Sequence, residues 1–385
     1  VVFSNNLEDD LKRRDFTINA MAYSVSKGQL VDLYKGQNDL KEGVIRAVGE
    51  PDERFKEDGL RILRAVRLAA QLGFTISHET ERAIAADAYM LKKVAKERIR
   101  EEFNKIILSD EPMKGILLAK KLGLLAYISP NFEKGVGIDQ NQAHKYDVFE
   151  HNLRTLQHAA DKKWPFHVRL ASLFHDVSKP ETRRWSKEKN DWTFYGHDVV
   201  GARVTRETMK ELRYSSDMID KVVSLVRWHM FFSDPEQISL SAVRRLVANI
   251  GEENIWDLMN LRVCDRIGTG RPKENPYRFR KYKAMVEEVL RDPVTVQMLK
   301  IDGKRIMDVT HETPGPRIGQ LLHALLEEVL EDPGKNSDEY LQSRAVELSK
   351  IDAKELKKLG EAGKESKEKA EEREIQEIRK KHWVE

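Results

Sequence analysis

From Pro51 onward, apolar residues recur at helical spacing along nearly the whole chain, whereas the first fifty residues mix short β-prone pieces with helix. Phe16 to Tyr23 alternates between turn and helical pattern, and Val44-Ile45-Arg46-Ala47-Val48 reads as a strand broken by Gly49-Glu50-Pro51. Asp52 to Gln71 predicts one continuous helix, with Ile62, Val66, Ala69 and Ala70 on one face and Gly73 as its stop. Ser77 is placed to cap the next helix, Lys96 to Leu108 predicts a third, and Pro112 to Leu122 a fourth ending at Gly123. A Gly- and Asn-rich connector, Asn131 to Asn141, precedes a His-rich helical block that reaches about Gly270. Gly268 to Pro276 reads as a second linker. Helical pattern resumes to about Lys350, punctuated by Pro314-Gly315-Pro316. Residues 354–385 are Lys/Glu-dense and predict an exposed or frayed helix. No internal repeat is visible.

At 385 residues the chain has room for two or three cores. Its net charge of +3 sums 67 basic and 64 acidic side chains, so local basic patches fit inside a near-neutral total and nucleic-acid binding is permitted. The single cysteine, Cys264, excludes an internal disulfide and a multi-cysteine zinc finger and fits a reducing compartment. No apolar run is long enough for a membrane span and no signal peptide is visible, so the expected location is the cytoplasm. The opening Val1-Val2-Phe3-Ser4 reads as a strand already inside a domain, which implies an upstream part.

Arg13-Arg14-Asp15-Phe16-Thr17-Ile18-Asn19-Ala20 sets two guanidinium groups, a carboxylate and an amide close together. Guanidinium groups bind phosphate oxygens through paired donors, and an Asn can hold a ribose hydroxyl. The plainer alternative is a helix start capped by Asp15. In Glu57-Asp58-Gly59-Leu60-Arg61-Ile62-Leu63-Arg64, a continuous helix would put Asp58 and Arg61 side by side on one face. Such a pair can present acceptors and donors to a base edge; the alternative is an ordinary surface ion pair.

The order of these segments is more specific than any one alone. Arg-Arg-Asp-x-x-x-Asn-Ala is followed by Asp32-Leu33-Tyr34-Lys35-Gly36, Arg46-Ala47-Val48-Gly49, Glu57-Asp58-x-x-Arg61-x-x-Arg64 and Glu97-Arg98-Ile99-Arg100-Glu101-Glu102. This series resembles the class II tRNA nucleotidyltransferases and their poly(A) polymerase relatives over residues 1 to about 125, and more loosely to about 330. The resemblance implies that Arg14, Asp15 and Asn19 hold ribose and triphosphate. It also implies that Asp32 to Gly36 is a flexible segment used in switching from CTP to ATP. Asp58 and Arg61 would read the base edge with Arg64 one turn further, and Glu97, Arg98 and Arg100 would brace the base-reading helix. Family members also carry an upstream Gly-Gly/Ser-x-Arg-Asp turn and an Asp-x-Asp pair that holds magnesium for transfer. The sequence contains neither, and Asp9-Asp10 is adjacent rather than alternate, so no catalytic residue for transfer is assigned.

His151, His175-Asp176, His197, His229 and Asp265 stand in the order of an HD domain, which Leu173-Phe174-His175-Asp176-Val177-Ser178-Lys179-Pro180 resembles in particular. Imidazole and carboxylate suit a divalent ion such as Mn, Ni, Mg or Zn. The expected ligands are His151, His175, Asp176 and Asp265. His197 and His229 are candidates for a second ion or for a phosphate. His78, His144, His158, His167, His311, His323 and His382 lack a placed partner and are left as ordinary histidines.

Ile301-Asp302-Gly303-Lys304 and Pro314-Gly315-Pro316-Arg317-Ile318-Gly319 resemble the body-to-tail segment of the same family, with Gly319 expected to allow close packing. Arg271, Lys273, Arg278, Arg280 and Lys281 are candidate tRNA phosphate contacts, the alternative being a solvated linker. The resemblance implies a mostly α chain: a small α+β remnant of a nucleotidyltransferase head (1–50), a helical neck (51–130), an HD region (140–270), a helical body and tail (271–350) and a charged tail (351–385). The implied activity is addition of C and A to tRNA 3′ ends from CTP and ATP. The alternatives are a metal-dependent HD phosphohydrolase acting on 2′,3′-cyclic phosphates or phosphomonoesters, and a tRNA-binding remnant without activity.

Overall fold

The computed structural model describes residues 6–141, 145–231, 238–291, 299–352, 355–356, 358–359 and 375–384. Val1 to Ser4, His144 and most of the charged tail lie outside them. Two compact units are present: 1–232 with 246–275, and 233–245 with 276–385. Among the described residues no helix is long and apolar enough to cross a membrane.

The first unit begins with α1 (Leu7–Lys12), capped by the Asn6 side chain. A hairpin follows, β1 (Met21–Ser24) antiparallel to β2 (Gln29–Asp32). Next come α2 (Gly36–Glu42) and β3 (Val44–Ile45), which runs parallel to the later β4 (Thr75–Ile76). Phe16 bridges to Ala47, so the Arg-Arg-Asp segment is docked along the continuation of β3. Asp32 accepts hydrogen bonds from the Gly36 and Gln37 amides at 2.7 and 2.9 Å and caps α2. A Cβ at Gly36 would strike the Thr17 carbonyl, so the Asp32–Gly36 segment is packed against the turn that carries Asn19.

The helix expected over Asp52 to Gln71 is two helices, α3 (Pro51–Glu57) and α4 (Leu60–Leu72). Asp58 between them is extended, at φ −149° and ψ 101°, and its carboxylate accepts the Leu60 amide at 3.1 Å. The Asp58 carboxylate thus opens α4, and a Cβ at Gly59 would sit 3.0 Å from the Met90 Cβ and 3.1 Å from its carbonyl oxygen, so the break packs tightly against Met90. Asp58 and Arg61 therefore do not share a helix face. Gly73, at φ +71°, ends α4, and Ser77 caps α5 (His78–Asp87) through the Thr80 amide. α6 (Lys96–Ile107) packs its Ile99, Phe103 and Ile106 face against α4, with α7 (Pro112–Lys121) beside both. Short helices α8 (Leu125–Ile128) and α9 (Pro130–Glu133) follow.

The histidine block is built on α10 (Val148–Asp161), α11 (Phe166–Phe174) and α12 (Lys179–Thr182). It continues through α13 (His197–Glu211), α14 (Ser216–Trp228), α15 (Leu240–Ile250) and α16 (Ile255–Gly268). α10 packs on α11 and α16, and α13 on α14. The block is not wholly helical as expected: β5 (Arg184–Ser186) and β6 (Asp191–Thr193) form an antiparallel hairpin between α12 and α13. Its alternation over three-residue strands is too short to stand out against the surrounding helical pattern.

The second unit contains α17 (Tyr277–Leu290), α18 (Gly303–Thr310), α19 (Pro316–Glu331) and α20 (Asp338–Ser349). Ile306, Leu321, Leu325, Leu341 and Leu348 share its apolar core. Pro316 opens α19 at its first turn, as the Pro-Gly-Pro run suggests. Nothing lies within 4 Å of a Cβ built at Gly319, so this glycine faces open space and the close packing expected of it does not occur.

Candidate nucleotide cleft and metal centre

A cleft of about 550 Å³ lies between the Arg-Arg-Asp segment, α4 and α6. Arg13, Arg14, Asp15, Asn19, Arg61, Arg64, Arg67, Glu102 and Lys105 line it. Two segments more than forty residues apart thus bring their cations to one concavity. Asp15 is buried and accepts from Arg64 Nη1 at 2.7 Å, from the Phe16 amide at 2.9 Å and from Asn19 Nδ2 at 3.3 Å. Half-buried Arg64 has its pKa raised: burial opposes the charge, and the Asp15 carboxylate outweighs that effect. Arg13 and Arg14 fold back on Asp10 at 2.6 and 2.7 Å. Asp9 and Asp10 stand on α1, where Asp10 anchors these two guanidinium groups.

Arg61 faces the cleft, held by Glu57 at 2.8 Å and by the carbonyls of Arg54 and Arg13 at 3.1 and 2.9 Å. Asp58 sits at the α3–α4 junction and is gripped by Arg98, 2.8 and 3.2 Å to its two oxygens. Burial alone would raise the Asp58 pKa, but Arg98 and the Leu60 amide lower it on balance. Arg98 therefore braces the junction. Glu97 and Arg100 point elsewhere: Arg100 reaches the Arg213 carbonyl and stands 5.7 Å over the Tyr214 ring, and Glu97 is 3.9 Å from Arg213. Sequence reasoning did not single out Arg67, Glu102 or Lys105 for the cleft. The three-residue spacing Arg61, Arg64, Arg67 was the available signal.

The second constellation is buried. His151 stands on α10, His175 caps the end of α11 with Asp176 next to it, and Asp265 stands on α16. His197 opens α13 and His229 caps the end of α14. All six residues are at most 9% exposed, with Asp265 the most accessible of them. His175, His197 and His229 each donate Nδ1–H to the carbonyl three residues earlier, at 2.9, 2.6 and 2.6 Å, an arrangement that leaves the Nε2 lone pairs pointing inward. The Nε2 atoms of His151 and His175 are 3.0 Å apart, and those of His197 and His229 3.2 Å. Lone pairs this close repel unless a cation or proton lies between them, so the donor set fits a divalent ion.

Asp176 joins two ligand groups. Its Oδ2 lies 3.2 Å from His151 and 3.3 Å from His175, while its Oδ1 lies 3.3 Å from His197 and 3.6 Å from His229. Asp265 Oδ1 is 3.3 Å from His151. The ligand atoms of His151, His175 and Asp265 fall within 4.8 Å of one another, as do those of Asp176, His197 and His229. Burial would lower the His175 pKa, but Asp176 and Asp265 raise it to about 9, whereas burial pushes His229 down to about 4. Both carboxylates are held well below the usual range by the neighbouring imidazoles, against the opposing effect of burial. Lys179, one turn on from Asp176, puts its ammonium 2.5 Å from Asp176 Oδ2 and 2.7 Å from Gln140 Oε1. Neither residue was assigned a role from sequence. Of the histidines left aside, His167 pairs with Asp257 at 2.5 Å and His382 with Glu287 at 2.7 Å, and neither belongs to a ligand group.

The chain matches three family models: the poly A polymerase head domain over residues 1–46, the probable RNA and SrmB-binding site of polymerase A over 73–135, and the HD domain over 148–255. It is 35% identical over 333 residues to an A-adding tRNA nucleotidyltransferase of Deinococcus radiodurans, covering 84% of this chain and 75% of that one. A CC-adding tRNA nucleotidyltransferase of Thermus thermophilus is 35% identical over 332 residues, covering 83% of this chain and 73% of the relative. Among solved structures, the CCA-adding enzyme of Bacillus stearothermophilus in complex with CTP shares the fold at a TM-score of 0.54 and 24% identity, over 90% of this chain and 75% of that one. With its ordered head motifs, its arginine-lined cleft and an HD centre downstream, the chain belongs to the family of tRNA nucleotidyltransferases that carry an HD domain.

Proposed function

We propose that the cleft binds CTP and ATP and serves the addition of C and A to tRNA 3′ ends. The observation that carries this reading is the convergence of Arg14, Asp15 and Asn19 with Arg61 and Arg64 on one cleft. Guanidinium groups there would meet triphosphate oxygens, Asp15 positions Arg64 and Asn19, and Arg98 grips Asp58 at the α3–α4 junction, from which Asp58 would read the base. In this reading residues 1–50 are the head, 51–130 the neck, 140–270 the HD region and 271–350 the body and tail. Arg271, Lys273 and Arg278, all exposed, would contact tRNA phosphates, with Arg280 and Lys281 on α17 beside Arg278. Magnesium would neutralise the leaving pyrophosphate, held by carboxylates of an Asp-x-Asp element that the 385 residues do not contain. The test is titration of the chain with labelled CTP and ATP in magnesium, then incubation with tRNA lacking its terminal residues. Saturable nucleotide binding that falls in Arg64→Ala supports the reading, and absence of any binding defeats it.

A second reading has its own observation. Asp176 presents one oxygen to each of two buried ligand groups, the arrangement that a one- or two-ion phosphohydrolase centre requires. Its substrates would be 2′,3′-cyclic phosphates or phosphomonoesters, cleaved with Mn, Ni, Mg or Zn. Hydrolysis of a nucleoside 2′,3′-cyclic phosphate that depends on added Mn or Ni and disappears in His175→Ala supports it. No cleavage with any of the four ions refutes it.

A further inference from the structure

The β5–β6 hairpin is inserted between the two halves of the metal centre, after Asp176 and Lys179 and before His197. Strand alternation and the Trp185–Trp192 register place Arg183, Trp185, Trp192 and Phe194 on one face. The contacts along that face agree. Trp185 and Trp192 meet edge to face at 5.2 Å, and the Arg183 guanidinium lies 3.7 Å over the Trp192 ring. Lys179 Nζ stands 5.4 Å over the Phe194 ring while holding Asp176. The Phe194 carbonyl accepts Nδ1–H of His197 at 2.6 Å. An aromatic and cationic stripe therefore runs from an indole that is 50% exposed down to two members of the buried centre. The Arg183 Nε atom is buried without a hydrogen-bond partner. Residues 183–192 carry four cations, Arg183, Arg184, Lys187 and Lys189, against two carboxylates, Glu188 and Asp191.

A half-exposed tryptophan on a two-stranded hairpin contributes little to a core, and this one is held edge to face by its neighbour Trp192, whose own ring carries the Arg183 guanidinium. That combination suits stacking against a flat, electron-rich ring attached to a phosphate. We propose that this hairpin face is a base-stacking platform for the 3′-terminal nucleotide of a single-stranded RNA, with the Trp185 indole under the base and the terminal phosphate directed to the Asp176 centre. The platform rests on the hydrolytic reading of that centre. Because an indole has no hydrogen-bonding code for a base, the platform selects a nucleotide over a bare phosphoester rather than one base over another.

The test compares adenosine 2′-monophosphate with ribose 5-phosphate, a phosphomonoester without a base, as substrates of the full chain in Mn. The expected KM for the nucleotide is about tenfold or more below that for ribose 5-phosphate, in line with the worth of one base–aromatic stack. Trp185→Ala raises the nucleotide KM to near the ribose 5-phosphate value, with kcat and the ribose 5-phosphate KM unchanged, and Trp185→Phe keeps most of the preference. Equal nucleotide KM in wild type and Trp185→Ala overturns the platform and leaves the hydrolytic reading standing. If neither substrate is cleaved, tryptophan fluorescence decides the platform. None of the six tryptophans precedes Trp164, so the head contributes no signal of its own. Saturable quenching by oligoadenylate that is lost in Trp185→Ala supports the platform, and quenching unchanged by the substitution overturns it.

Discussion

Gly268 gives the sharpest test of how the metal centre is assembled. It closes α16 three residues after Asp265, where α16 packs on α10, the helix that carries His151. A Cβ at Gly268 would collide with the Thr155 hydroxyl and stand 3.1 Å from the His151 carbonyl and 3.2 Å from its Cε1 atom. Gly268→Ala must therefore push the two helices apart or rotate the His151 ring. Overpacking of a tight interior site costs about 1–3 kcal/mol. For a unit of this size that corresponds to a fall in Tm of roughly 2–12 °C. The displacement acts on the 3.3 Å approach of His151 to Asp265, so Mn affinity falls together with stability. Thr155 donates its hydroxyl to the His151 carbonyl at 2.8 Å, so Thr155→Ala alone costs about 1 kcal/mol for that hydrogen bond. It also removes the atom that the new methyl would strike. The two substitutions together should then cost less than the sum of their separate effects, a coupling of about 0.5 kcal/mol or more. Urea unfolding of the four proteins and Mn titration by calorimetry measure both quantities. Additive effects, or a Gly268→Ala protein with wild-type Mn affinity, would refute the reasoning that this glycine sets the spacing of the ligands.

Three further outcomes follow from the same geometry. Arg64→Ala leaves buried Asp15 without its charged partner, and loss of a hydrogen bond to a charged group, about 1.5–3 kcal/mol, weakens CTP and ATP binding roughly ten- to hundredfold; equilibrium dialysis with labelled nucleotide checks it, and undiminished affinity counts against the cleft. Lys179→Met takes the ammonium from the buried Asp176 carboxylate and leaves it to the neighbouring imidazoles, destabilising the metal-free protein by about 1.5–3 kcal/mol, and Mn should recover much of that loss by supplying positive charge; thermal melts with and without Mn report it, and equal stabilisation of wild type and variant by Mn would contradict it. The Asp58 pKa is lowered in the folded protein, so the contribution of the Asp58–Arg98 pair is present above the unfolded value near 3.8 and is lost as pH falls through the lower folded value; Arg98→Ala should remove that dependence from acid unfolding curves, and superimposable curves would show that the pair is inert.

Ordered short motifs were legible because each carries chemistry in a contiguous run. Arg13 to Asn19 and His175-Asp176 needed no fold to be noticed, and the caps at Ser77, Gly73 and Gly123 follow from backbone preferences that act within one turn. Apolar periodicity likewise determined where most helices run, because burying one face of a helix imposes its own repeat on the sequence. The break at Asp58-Gly59 was read through as continuous helix, because helical apolar spacing runs across it and the tight packing of Gly59 on Met90, thirty-one residues away, leaves no local pattern. Only the tertiary structure decided that Arg61 faces the cleft while Asp58 goes to Arg98, that Glu97 and Arg100 turn toward Arg213, and that Asp176 spans two ligand groups. The β5–β6 hairpin and the grip of Lys179 on Asp176 belong to the same class. The physical reason is common to all of them: a side chain's partner is chosen by packing between elements distant in sequence, and no local pattern encodes that choice.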